Sequence, residues 1–417
     1  MTMGTRPSGK VVASYCFPPY NDTSGIVAAK RVLSANERVD VISNRMDGVR
    51  KLDTSLVQIV GGLIDRHAAL NTPTGFASWR SVSTYASTGS ELFQRWEHDR
   101  GPYAEVYSRA QFAASHVLGA KIKTLRPDIV WTAEFSDPLS HGATGDVRYA
   151  SVTDRAVLSE WGQQLADLGY ASPLSDNLHE WVETRSYALA DSIVFTNQAQ
   201  QKFMLSHCGD RRLAERVAER SIISPHPTLP RKFYSMVPSS YPLPTDKVNI
   251  GYFGKFYPNR GPGLILDALA GLPPHVRKHL LIHAFTSTPE ELKELTAAKK
   301  VSGVVRVNPY RDYLEFLNLA DRMDVLLLND AVTPPGGTNP FLPSKWSDYK
   351  GADTPVWGII EEGSPLDAVS GIAYRTPVEH VSAIQLTLAQ IAADLSSPNR
   401  AGALAFPSGS SPFADLT

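Results

Sequence analysis

Two segments of the sequence place basic side chains just before predicted helices. The first, KFYPNRG, carries Lys255 and Arg260, followed by Gly261, which permits close backbone approach. The second is the Pro-Ser-Lys turn that ends at Lys345. A helix start already carries partial positive charge, so a lysine there is unfavourable unless an anion lies nearby. A phosphate at the helix N-terminus would resolve this conflict in both segments. For the first segment alone, a solvated loop with incidental charges is an equal alternative.

Both segments follow predicted strands. Short apolar runs rich in Val and Ile are typical of strands that are covered on both faces of a parallel sheet. Such runs, with helical stretches between them, occur at 11–17, 39–43, 127–135, 191–197, 248–256, 279–285, 303–309, 324–330, 354–360 and 371–375. Their spacing predicts strand–helix–strand units with right-handed crossovers.

A proline-rich segment, MVPSSYPLPTDK, has the composition of a linker and divides the chain. We predict two doubly wound parallel-sheet domains with a cleft between the carboxyl ends of their strands, where ligands of such folds bind. The predicted boundaries are an N-terminal domain over 1–238, a linker over 239–247, a C-terminal domain over 248–378, a helix over 379–396 that packs back toward the N-terminal domain, and a mobile tail over 397–417.

The composition indicates an ordinary folded protein and excludes several classes. The chain has 417 residues, of which 42% are hydrophobic and 20% charged, with a net charge of -1. No basic run supports a nucleic-acid surface. Two cysteines, Cys16 and Cys208, fit a reducing compartment. The first residues do not have the apolar core of a signal peptide, so we expect a cytoplasmic protein. Contact with the inner face of a membrane stays open.

Two segments carry a resemblance to a known family. GYFGKFYPNRGPGLILDAL (251–269) and NPFLPSKWSDYKGADTPVWGII (339–360) resemble motifs of the retaining, family-4-like GT-B glycosyltransferases of bacteria. The resemblance implies two Rossmann-like domains that face each other across a cleft. It also implies transfer of a sugar, with retention of configuration, from a nucleoside-diphosphate sugar to an acceptor hydroxyl. The acceptor would be a saccharide, a lipid-linked molecule or a small molecule, in polysaccharide or glycoconjugate biosynthesis.

The resemblance also implies roles for individual residues. Lys255 and Arg260 would neutralise the leaving diphosphate, and Ser344 and Lys345 would face phosphate. Asp348 would accept hydrogen bonds from the hydroxyls of the nucleotide ribose. The donor-binding set further includes Gly25 at the start of the first helix, Gly254 after the first C-terminal strand, and Tyr310 near the base. For Gly25 and Tyr310, a tight turn and a packing or surface position are the alternatives.

One position departs from the family pattern. The family often has an acidic residue that contacts the donor sugar where this chain has Pro340. We therefore expect the sugar or phosphate to meet the backbone and side-chain groups of the preceding stretch, at Gly336, Gly337, Thr338 and Asn339.

Three residues near the end of an N-terminal strand are candidates for the other side of the cleft. His141 is a candidate catalytic residue that would contact the donor sugar, or else a surface histidine. Asp137 and Glu134 are candidates for orienting the acceptor. For Asp137, a carboxylate that caps a turn is an equal alternative.

The sequence predicts no cofactor. It contains no paired Asp motif between apolar strands and no His and Cys cluster with metal spacing, so we expect a metal-independent reaction. Two other functions stay open: a sugar-nucleotide epimerase of the same shape, and a noncatalytic partner protein. The epimerase needs carboxylates near the sugar, which Pro340 disfavours. The basic residues disfavour the noncatalytic alternative.

Overall fold

The structure is a computed structural model that describes residues 9–142, 145–257, 259–334 and 337–396. The first sheet has seven parallel strands in the order β3-β2-β1-β4-β5-β6-β7. Its strands are β1 (Lys10–Ala13), β2 (Val39–Asn44), β3 (Ile64–Leu70), β4 (Glu105–Ala110), β5 (Val130–Phe135), β6 (Ser192–Phe195) and β7 (Ile222–Ile223).

Eight α-helices connect these strands in the described part of the N-terminal half. They are α1 (Thr23–Ala35), α2 (Val57–Val60), α3 (Trp79–Arg100), α4 (Ala113–Leu125), α5 (Arg155–Asp167), α6 (Leu178–Leu189), α7 (Gln198–Ser206) and α8 (Arg211–Arg220). Short 3-10 turns occur at Thr54–Leu56, Gly61–Leu63 and Arg231–Tyr234.

The second sheet has six parallel strands in the order β10-β9-β8-β11-β12-β13. Its strands are β8 (Val248–Phe253), β9 (Leu280–Thr286), β10 (Val305–Pro309), β11 (Val325–Asn329), β12 (Val356–Ile360) and β13 (Tyr374–Pro377). The helices are α9 (Gly263–Gly271), α10 (Pro274–Arg277), α11 (Pro289–Ala298), α12 (Tyr313–Asp321), α13 (Trp346–Tyr349) and α14 (Val381–Ser396). The predicted architecture of two doubly wound parallel-sheet domains is therefore confirmed.

Every segment predicted as a strand overlaps one, but three strands of the first sheet are not among the predicted segments: β3, β4 and the two-residue, exposed β7. Strand β3 (IDRHAAL) is only partly buried at the sheet edge, so it does not have a continuous apolar run. Strand β4 (EVYSRA) is central and buried, yet it carries the buried polar residues Ser108 and Arg109. Apolar runs mark fully buried strands, and none of these segments meets that criterion.

The C-terminal helix α14 does not pack on the N-terminal domain as expected. Its residues Ile384, Leu388 and Ile391 are fully buried in a cluster with Leu269 of α9 and with residues of the second sheet. Their spacing of three to four residues forms one apolar stripe, and the second sheet offers the apolar surface that covers it. The tail predicted to be mobile, 397–417, lies outside the described residues.

The two domains are joined by one apolar cluster as well as by the chain. Ile26 and Leu56 of the first domain are buried in the same cluster as Leu317 and Trp346 of the second. The domains are therefore in direct apolar contact where α1, α12 and α13 meet, and we call this the sealed side of the interface. Among the described residues no helix is long and apolar enough to cross a bilayer.

Candidate active site

Asp348 lies at the sealed side of the domain interface and is buried. Its Oδ1 accepts from Lys30 Nζ of α1 at 2.6 Å and from the Tyr313 hydroxyl at 2.5 Å. Lys345 Nζ lies 3.4 Å from Oδ2. The sequence-based expectation was a ribose contact, which stays a prediction. In the structure this carboxylate instead joins the two domains through a buried ion pair. Lys30 is not among the residues predicted from the sequence. A lysine within the apolar run IVAAKRVL nevertheless requires a partner if that run is buried.

The conflict at Lys345 is resolved within the protein. We use "paired turn" for residues 343–348, which contain the Pro-Ser-Lys turn and the start of α13. The Lys345 ammonium faces Asp348 three residues later and lies 4.4 Å from the centre of the Phe316 ring. Burial alone would raise the pKa of Asp348, but the charges of Lys30 and Lys345 outweigh it and hold that pKa below its ordinary value. The phosphate contact of Lys345 and Ser344 stays a prediction.

A second carboxylate reinforces the sealed side. Asp53 of the N-terminal domain accepts from Ser55 N at 3.0 Å and from Tyr313 N, the first residue of α12, at 2.6 Å. One side chain thus satisfies backbone donors in both domains. An exposed pair, Lys51 with Asp312, lies beside it at 2.7 Å.

The other cationic segment differs. We use "open loop" for the described residues of 254–262, which connect β8 to α9. Arg260 stacks on the Tyr257 ring at 4.5 Å, and Lys255 Nζ lies 5.6 Å from the same ring. Within the described ranges neither side chain forms an ion pair. The N-cap residue of α9, Pro262, provides no side-chain hydrogen bond to the helix, so the first amides and the dipole add to the positive charge here.

Two further candidate residues lie near Arg260. Burial raises the pKa of Asp137, which follows β5, and the Arg260 charge is among those that oppose this rise. Partial burial also raises the pKa of Tyr310, opposed by a hydrogen bond with Ser287 and by the Arg260 charge. Both side chains are therefore within electrostatic range of Arg260, although the charges of Arg148 and Arg109 act more strongly on Asp137. Asp137 makes no hydrogen bond to a described residue.

The stretch before the paired turn is held by two carboxylates. Asn339 Nδ2 donates to Asp330 at 3.2 Å and to Glu361 at 3.0 Å, so its amide is engaged within the protein. Glu361 also accepts from Thr333 N at 2.6 Å. Gly337 and Thr338 are exposed, but the Gly337 amide donates to the Pro334 carbonyl at 2.9 Å, and Gly336 lies outside the described residues.

Solved structures similar to this chain share its whole two-domain arrangement. Sucrose-phosphate synthase from Thermosynechococcus elongatus has 14% identity over 92% of this chain and 89% of that one, with a TM-score of 0.54. A glycosyltransferase from Rickettsia africae has 9% identity over 95% and 91%, with a TM-score of 0.53. The chain has the GT-B fold. At these identities the likeness establishes the fold alone.

A third similar structure is the N-terminal domain of trehalose-6-phosphate phosphatase from Candida albicans. It has 12% identity over 93% of this chain and 90% of that one, with a TM-score of 0.56. Neither a protein-family model nor a curated protein sequence matches the chain. Membership of the retaining family-4-like group therefore stays a resemblance.

Of the two predicted donor-binding glycines outside the stretch before the paired turn, Gly25 has a structural explanation. A Cβ on Gly25 would lie 2.8 Å from the Cys16 carbonyl oxygen, so only glycine allows α1 to approach the segment after β1 this closely. The N-terminus of α1 is already capped by Asp22, which accepts from Ser24 N and Gly25 N. Gly254 directly follows β8, and its amide donates to the Phe285 carbonyl at 3.0 Å. The structure therefore explains Gly25 without a donor contact.

Glu134 lies in a buried network that the sequence did not indicate. It accepts from Arg31 Nε at 2.9 Å and from the Tyr107 hydroxyl at 2.8 Å, and it forms an ion pair with Arg109. Arg109 is adjacent to Glu134 across β4 and β5, so the two side chains share one sheet face. Arg109 Nη2 reaches His226 Nε2 at 3.0 Å. The carboxylate is thus saturated by protein groups, and an acceptor role for it stays a prediction.

Among the described residues, His141 makes no contact with another candidate site residue. Its ring stacks on His207 with centres 3.8 Å apart, and Nδ1 lies 2.9 Å from Ser140 Oγ. Burial and then the nearby His207 lower the pKa of His141.

No three His, Cys, Asp or Glu side chains in the described part of the chain come close enough to hold a metal ion. The metal-independent reaction stays a prediction.

Proposed function

We propose that this protein is a glycosyltransferase that moves a sugar from a nucleoside-diphosphate sugar to an acceptor hydroxyl. One observation carries the proposal: the open loop holds two cations without carboxylate partners in the described ranges, at the uncapped N-terminus of α9. Such a site suits a diphosphate, because guanidinium, ammonium and helix amides all stabilise anionic oxygens.

Lys255 and Arg260 would bind the diphosphate and stabilise the negative charge that develops on it as the sugar leaves. Tyr310, exposed beside them, suits a contact with the nucleoside. The exposed amide of Thr338 would contact the sugar or its phosphate.

Asp137 would face the acceptor. Its carboxylate comes from the opposite domain, near Arg260, and it has no hydrogen-bond partner among the described residues. We propose that it accepts a hydrogen bond from the reacting hydroxyl and so orients the nucleophile toward the sugar. Retention of configuration, following the resemblance, would have the departing phosphate take the proton of that hydroxyl.

Binding of UDP, GDP, ADP, CDP and dTDP, with and without magnesium, tests the proposal. A nucleotide at a hundred times its dissociation constant should stabilise the fold by about 2.7 kcal/mol, visible as a rise in Tm. Arg260→Gln should weaken that binding by about 1.5–3 kcal/mol, the contribution of a hydrogen bond to a charged group. The control is Arg306→Gln, an exposed arginine of β10. Binding of none of the five nucleotides would overturn the proposal.

A further inference from the structure

A small cavity lies between the domains, next to the paired turn. Its polar lining comes from Thr196 and His226 of the N-terminal half and from Ser344 and Ser347 of the C-terminal domain. Prolines, a leucine and Trp346 form the remaining wall. His226 follows β7, and the proposed function above gives it no role.

The hydrogen-bond partner of His226 fixes its tautomer. A guanidinium can only donate hydrogen bonds, so His226 Nε2 must be the acceptor from Arg109 at 3.0 Å. The ring hydrogen of a neutral imidazole is then on Nδ1. No described residue accepts from Nδ1. The ring therefore has one free donor, and it borders the cavity.

The orientation of the ring is also fixed. Arg109 is fully buried and forms an ion pair with Glu134, which in turn accepts from Arg31 and Tyr107. Arg31 is itself anchored, because it donates to the Ser224 carbonyl at 2.8 Å. A chain of buried charged groups thus fixes the Nε2 edge of His226, and the ring lines the cavity.

The charges around His226 favour an anionic oxygen as its partner. Burial, together with the charges of nearby Arg109, Lys30 and Arg31, holds the pKa of His226 well below its ordinary value. The ring is consequently neutral near neutral pH and donates a hydrogen bond without carrying a proton to transfer. Arg109 and Arg31 share the single carboxylate of Glu134, and Lys30 and Lys345 share that of Asp348. The surroundings therefore keep a net positive charge that favours an anion.

We infer that His226 Nδ1 donates a hydrogen bond to a diphosphate oxygen of the nucleotide donor, with Arg109 as the positioning residue that fixes the ring. The inference rests on the proposed function, and it adds a donor-binding residue from the N-terminal domain opposite Ser344. The Arg31–Glu134–Arg109 network would then position His226 for ligand binding in addition to stabilising the fold.

Two substitutions distinguish the role of the Nε2 acceptor from that of the Nδ1 donor. The amide of His226→Gln can replace Nε2 as the acceptor for Arg109 but provides no donor at the Nδ1 position. His226→Asn provides a donor near Nδ1 but no acceptor for Arg109. We expect His226→Gln to keep the wild-type Tm and to bind the preferred nucleoside diphosphate about tenfold more weakly. His226→Asn should have a lower Tm and bind within about threefold of wild type. Exposed His275, changed to Gln, is the control.

The outcomes distinguish this inference from the proposed function. If the wild type binds none of UDP, GDP, ADP, CDP and dTDP, the proposed function fails and the inference fails with it. If the wild type binds one of them and His226→Gln binds it equally well, only the inference is overturned. Equal weakening in both variants would mean that His226 acts through the fold, which also overturns it.

Nitrogen-15 NMR of the histidine rings gives a readout that a merely structural role would not change. The free protein should show His226 as the neutral tautomer with hydrogen on Nδ1. Addition of the bound nucleoside diphosphate should shift the Nδ1 signal and leave that of His275 unchanged. A hydrogen on Nε2, or an Nδ1 chemical shift that does not change when the nucleotide is added, would contradict the inference.

Discussion

The open loop and the paired turn look alike in sequence and differ in structure. Each places a lysine or arginine close to the start of a helix at the carboxyl edge of the second sheet. In the paired turn, Lys345 faces Asp348, which also holds Lys30 from the other domain. In the open loop, Arg260 stacks on Tyr257, Lys255 Nζ lies near the same ring, and neither has an ion-pair partner among the described residues.

This difference shows that the unfavourable interaction of a basic side chain with a helix N-terminus can be relieved in two ways. Either the fold supplies a carboxylate, and the charges hold the protein together, or the fold leaves the charge for a ligand. Buried pairs are fixed by the cost of separating them, because removal of one partner leaves an uncompensated charge in a region of low dielectric constant. A solvated cation carries no such cost, so it remains free to bind phosphate.

The largest expected effect tests whether the paired turn is structural. Asp348→Asn leaves Lys30 buried without a counter-charge, and we expect unfolding to require about 3–5 kcal/mol less free energy. Guanidinium unfolding measures the loss. The control, Asp312→Asn, removes the exposed pair with Lys51 and should cost about 1 kcal/mol or less. Equal losses in the two variants would remove the distinction between a buried and an exposed pair.

The next effect concerns the segment that leads from β11 into the paired turn. Burial raises the pKa of Asp330 to about 6. The folded protein therefore keeps this proton to a higher pH than the unfolded chain, whose carboxyl has a pKa of about 3.9. The free energy of unfolding should accordingly fall by about 3 kcal/mol as pH rises from about 4 to about 6, and then level off.

Urea unfolding at a series of pH values measures this fall. Asp330→Asn should remove most of it, because the amide resembles the protonated carboxyl at every pH. Glu362→Gln, a nearby exposed position, should leave the fall unchanged. The assignment to Asp330 is refuted by a pH profile that is the same in Asp330→Asn and wild type.

The smallest expected effect compares the two cationic segments directly. Lys345 is partly exposed and already faces a carboxylate, so Lys345→Met should weaken nucleotide binding by only about 0.2–1 kcal/mol. Arg260→Gln should weaken it more. Calorimetric titration of both variants with the same nucleoside diphosphate gives the ratio. A loss at Lys345 that equals the loss at Arg260 would indicate that phosphate displaces Asp348, which would restore the role that the family resemblance implies.

The sequence alone determined the fold class and the position of the second domain's strands. Strands β8, β9, β11 and β12 are buried along their whole length, so each appears in the sequence as a continuous apolar run. The cationic open loop was also visible, because Lys255, Arg260 and Gly261 are local to one strand–helix connection. Strand β4 was not visible, because the partners of its buried Arg109 come from other elements.

Only the tertiary structure decided which charges are paired. Asp348 meets Lys30 across 318 positions of sequence, and Arg109 meets His226 across 117. The stripe of α14 is equally apolar whichever domain covers it, so the sequence left its position undetermined. Pairing and packing depend on distances between elements that the chain order does not fix. The sequence therefore predicted where basic residues lie near helix starts, and the fold determined which of them remain free for a ligand.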